Sequence, residues 1–77
     1  MDEAAILYEQ YLDSRLVKEK REILNKLMRK GLLTEKMIND FAVTMDLTVS
    51  GDSLEDRYYD LLNCLDSIAK FETTGLR

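Results

Sequence analysis

The chain reads as an all-α protein: a small three-helix domain with a long first helix, a short second helix and a third antiparallel to the first. Three observations predict this. Apolar residues recur at helical spacings of three, four and seven rather than in strand alternation. There is no proline, and of the three glycines Gly31 and Gly51 stand where helices would end, while Gly75 sits in the tail. Good N-capping residues precede each apolar stripe. With 77 residues the chain is expected to form one domain over 1–77.

The first helix is expected over about 2–30. Asp2 can cap it, and Glu3 lies in its positively polarised first turn. Ala5, Tyr8, Leu12, Leu16, Ile23 and Leu27 share one face, and Ile6, Val17, Leu24 and Met28 form a second stripe beside it. Arg29 and Lys30 suit the negative end of the dipole, and Gly31 suits a left-handed cap. A break near Asp13-Ser14 is compatible with the sequence, but the pattern does not demand one.

The second helix is expected over about 35–45. Thr34 serves as N-cap, Leu33 and Ile38 form a hydrophobic staple, and Ile38, Phe41, Ala42 and Met45 give the stripe. The third is expected over about 53–72, opened by Asp52 with Glu55 or by Ser53 with Asp56 as a capping box. Leu54, Tyr58, Leu61, Leu65 and Ile68 share its buried face, with Tyr59 pointing away and residues 73–77 fraying.

Composition narrows the chemistry. The chain has no His and a single Cys, so a His-based general base, a disulfide framework and a structural zinc site are all excluded. No catalytic, cofactor-binding or metal-binding residues are assigned, and the chain is expected not to be an enzyme. The loop from Asp46 mimics calcium-loop spacing through Ser50, Gly51 and Asp52, but Arg57 stands where a bidentate Glu is required. Phe41-Ala42 followed by Met45-Asp46 loosely resembles a helix-turn-helix, yet the helix that would read DNA begins with acids. Cys64 lies mid-helix at the core edge and reads as a half-buried small hydrophobe rather than a reactive thiol. The acidic Met-Asp-Glu-Ala-Ala start, the lack of any membrane-length apolar run and the lone Cys64 together lead us to expect a cytoplasmic protein.

Charge is segregated along the chain. Residues 1–14 carry four acids and no base, residues 15–36 carry eight bases and three acids (net +5), and residues 37–77 carry eight acids and three bases (net -5). The expected function is a non-catalytic protein–protein interaction module, an adaptor or small inhibitor. Its partner surface is the acidic patch of Asp52, Glu55, Asp56 and Asp60 around the outward Tyr59, facing a basic site on another protein, including a nucleic-acid-handling one. The apolar strip of Ile6, Val17, Leu24 and Met28 is expected to lack cover within the domain and to form a homodimer. The alternative is a small nucleic-acid-binding regulator using the basic face Arg15, Lys18, Lys26 and Arg29. That face has no interleaved aromatic, since none lies between Tyr11 and Phe41.

Overall fold

The computed structural model describes residues 2–75, with side-chain surroundings to residue 71. Four helices form among them: α1 (Glu3–Asp13), α2 (Val17–Arg29), α3 (Glu35–Thr44) and α4 (Leu54–Gly75). The all-α class holds; the count differs because the long first helix is two helices.

The joint lies at Ser14–Leu16. Ser14 and Leu16 both adopt extended backbone, with ψ of 140° and 136°. This conformation is open to any residue and so needs no glycine or proline. The end of α1 is closed by side chains instead. The Ser14 hydroxyl donates to the Tyr11 carbonyl at 2.9 Å, and the Lys20 ammonium reaches back to the same oxygen at 2.7 Å. A cation there also complements the negative pole of α1, which has no base in its last turn.

Neighbouring helices close a ring in the order α1, α2, α4, α3, with α1 and α4 on one diagonal and α2 and α3 on the other. Glu3 pairs with Lys30 at 2.9 Å, so α1 and α2 form an antiparallel hairpin. Arg21 meets Asp66 and Asn25 meets Tyr58, so α4 runs antiparallel to α2. Tyr8 meets Asp40 and Tyr11 meets Met45, so α3 runs parallel to α1. The expected antiparallel pairing of the third helix with the first therefore applies only to its second half, α2. The α1 half is held away on the diagonal.

The core takes Leu7 and Tyr11 from α1; Val17, Leu24 and Leu27 from α2; Leu33; Ile38 and Phe41 from α3; and Tyr58, Leu61 and Leu65 from α4. Full burial of such a side chain contributes about 1.5–3 kcal/mol. The Tyr11 ring stacks on Phe41 with centroids 3.7 Å apart, and Tyr8 stacks on the same ring at 5.5 Å. Lys20 lies 4.7 Å above Tyr11. Two expectations for the first helix are corrected. Leu12 and Leu16, which lie on the stripe with Tyr8, Ile23 and Leu27 expected to be covered by the later helices, are 39% and 53% exposed. Val17 and Leu24, assigned to an uncovered strip, are 4% and 0% exposed and belong to the domain's own core, with Met28 packed against it. The joint rotates α2 relative to α1, so a face drawn through both as one rod does not exist.

The caps decide where helices stop. Gly31 at φ +70° closes α2 as a Schellman turn, with Leu32 N–H donating to Leu27 O and Gly31 N–H to Met28 O. Asp46 at φ +58° closes α3 in the same way, with Leu47 bonded to Ala42 O and Asp46 to Val43 O. Thr34 caps α3 by accepting from Met37 N–H at 3.2 Å. Of the two capping boxes expected for the last helix, Ser53 is the one used, accepting from Asp56 N–H at 3.2 Å. That helix continues to Gly75, past the expected end at 72; the rest of the tail, 76–77, lies outside the described residues.

Candidate interaction surfaces

The connection from Met45 to Ser53 is firmly tied to the start of α4. Ser50 N–H donates to Asp60 Oδ2 at 3.0 Å, and Arg57 Nε donates to Gly51 O at 3.1 Å. Arg57 also lies 3.7 Å from Glu35. Its guanidinium thus bonds into the loop from the position where a calcium loop would place its bidentate Glu. Nine residues separate α3 from α4, whereas a helix-turn-helix has a turn of about 3–4 residues. The α3–α4 pair therefore does not have that motif's geometry. Among the described residues, no three His, Cys, Asp or Glu side chains gather closely enough to hold a metal ion.

Four of the five expected acidic-patch residues stand free on this braced platform. Asp52, Glu55 and Asp56 are exposed and make no ion pair among the described residues, and Tyr59 is 56% exposed. The Tyr59 ring leans on Tyr58 with centroids 5.0 Å apart and planes tilted by 59°, which limits its freedom. Asp60 differs: it is half-buried and committed to the Ser50 amide, so it braces the patch rather than presenting charge.

The nine bases between residues 15 and 57 sort into two groups. Lys20, Arg21, Lys30, Lys36 and Arg57 are engaged within the fold. Arg21 touches Asp66 at 2.5 Å, with its N–H out of line, so this is a contact of charges rather than a directed hydrogen bond. Arg15, Lys18, Lys26 and Arg29 are all exposed and have no ion-pair partner among the described residues.

Two of these, Lys26 and Arg29, line a concavity of about 430 Å³ between α2 and α4, together with Glu22, Ile23, Asn25 and Tyr58. The Tyr58 hydroxyl donates to Asn25 Oδ1 in a short bond. Burial raises the Tyr58 hydroxyl pKa, with the neighbouring Tyr59 adding to the shift and Arg21 and Arg29 opposing it. Asn25 and Tyr58 are not recognisable as a pair in the sequence because they are 33 residues apart. The one linear hint is Asn25 itself, a polar residue on the edge of α2 that faces its neighbour.

A second shallow concavity lies on α1 among Asp2, Ala5, Ile6, Glu9, Gln10 and Asp13. Of the strip assigned to self-association only Ile6 is exposed, at 38%. Val17, Leu24 and Met28 are inside or against the core, so the four do not form a surface. Cys64 is half-buried in mid α4. No described helix is long and apolar enough to cross a membrane. No protein-family model, curated protein or solved structure matches this chain.

Proposed function

We propose that the chain is a non-catalytic, cytoplasmic interaction module that docks on a basic site of another protein through the start of α4. One observation carries the reading: Asp52, Glu55, Asp56 and the half-exposed Tyr59 are unpaired on a loop–helix junction that four polar contacts hold in place. A tyrosine held against a second ring gives contact area at small entropic cost, and surrounding acids steer a basic partner toward it. A partner that itself handles nucleic acid fits this description, because the acids then lie where phosphates would.

The test is capture from the native host with two charge-reversed variants. Glu55→Lys with Asp56→Lys is expected to lose the partner, while Lys18→Glu with Lys26→Glu retains it. Equal recovery by both variants would overturn the assignment of the surface. A second reading, nucleic-acid binding along α2, is favoured by the four unpaired bases Arg15, Lys18, Lys26 and Arg29. It requires binding that falls steeply with salt and is lost only in the α2 variant.

A further inference from the structure

We propose that the concavity between α2 and α4 is a binding site for a phosphate monoester, with Lys26 and Arg29 holding the charge and the Asn25 amide supplying a directed donor. The cations stand three residues apart on one helix and are the only Lys or Arg side chains lining the concavity. Neither has an ion-pair partner among the described residues, whereas Lys20, Arg21, Lys30, Lys36 and Arg57 do have partners.

The amide adds direction. An asparagine has two N–H donors and one carbonyl acceptor. Here the acceptor is occupied by the Tyr58 hydroxyl, which fixes the amide plane and leaves its N–H donors as the group available to a ligand. A guanidinium, an ammonium and an amide NH2 then line one concavity; arginine and lysine are the usual phosphate binders, arginine as a two-pronged donor. The volume of about 430 Å³ exceeds what an inorganic ion needs and falls in the range of small-molecule sites. Ile23 and the Tyr58 ring supply apolar wall for the organic body of the ester. Glu22 also lines the site and lowers its net charge to +1, which limits affinity for simple anions. This site shares no lining residue with the acidic platform of the proposed function, although its Tyr58 ring also supports Tyr59, and the cation variants test it without touching that platform.

The phosphate can come from a phosphorylated side chain or from a nucleotide, and the chemistry that holds it is shared. Titration of the ¹⁵N-labelled chain with phosphoserine and, separately, with AMP distinguishes them. The expected result is saturable movement of the Asn25 side-chain amide and of Lys26 and Arg29, tighter for AMP if the apolar wall takes a base. Lys26→Ala with Arg29→Ala, both exposed and harmless to the core, should weaken binding at least tenfold. Tyr58→Phe should weaken it several-fold by freeing the Asn25 amide, and Glu22→Gln should tighten it. Movement that does not saturate, that sulfate reproduces fully, or that survives loss of both cations would overturn the site.

Discussion

At the scale of single residues, the contrast between Leu65 and Tyr59 tests the facing of α4. Leu65 is fully buried, so Leu65→Ala should cost about 2–5 kcal/mol, enough to unfold much of a domain this small. Tyr59→Ala should change the urea midpoint little, because more than half of that side chain is already in water. The reverse order would mean that the helix is turned the other way. Tyr11 provides a pH test. Its burial raises the hydroxyl pKa above the ordinary 10, so the fold favours the neutral form. The resulting stability is complete below pH 10 and is lost as pH climbs from there toward the folded-state value. Burial lowers the pKa of Lys20, which acts in the opposite sense, adding stability as pH rises through the window just below 10.5. Comparing urea midpoints at pH 8 and pH 11 isolates the tyrosine: Tyr11→Phe should lose less stability over that interval than wild type. An equal loss would show that the Tyr11 ring is not ionising against its burial.

At the scale of elements, α3 and α4 were legible because stripe and cap agree at each of them: Thr34 with the Leu33 and Ile38 staple, and Ser53 ahead of Leu54, Leu61 and Leu65. The joint between α1 and α2 was not legible. It is made by ordinary extended dihedrals at Ser14 and Leu16, and the apolar Leu16 continues the helical pattern while standing in solvent. What holds it is a contact nine residues long, from Lys20 to the Tyr11 carbonyl, which periodicity does not encode. Lys20→Met should therefore destabilise the domain by about 1–2 kcal/mol and fray the end of α1 first. Amide exchange at Tyr11 to Ser14 would report it, and unchanged protection there would contradict the role of Lys20. The two loop glycines should also differ. A Cβ on Gly31 meets nothing within 4 Å, so Gly31→Ala costs only its left-handed backbone, about 1 kcal/mol. A Cβ on Gly51, at φ +151°, would stand 2.8 Å from Asp56 Cβ and 3.0 Å from Arg57 N, pushing on the first turn of α4. Gly51→Ala should lower the melting temperature by more than Gly31→Ala does, and should disturb the acidic platform as well.

At the scale of the whole molecule, the ring of four helices explains why the strip expected to drive dimerisation is absent: Val17 and Leu24 are spent on the core that joins α2 to its neighbours. What remains outside includes scattered apolar side chains, Leu16, Val43 and Phe71 among them, together with free bases at Arg15 and along α2 and free acids with Tyr59 at the start of α4. Much of the acidic face was readable in sequence, because residues outside the α4 stripe must point to solvent. The α2–α4 concavity was not, because it depends on Asn25 and Tyr58 meeting across two helices. The proposed function rests on the acidic face, and a photo-crosslinking amino acid at position 59 addresses it directly in living cells. Docking through the start of α4 predicts a discrete protein adduct that disappears when Glu55→Lys and Asp56→Lys are added. Adducts that form only from a probe at position 18 on α2, with none from position 59, would contradict it.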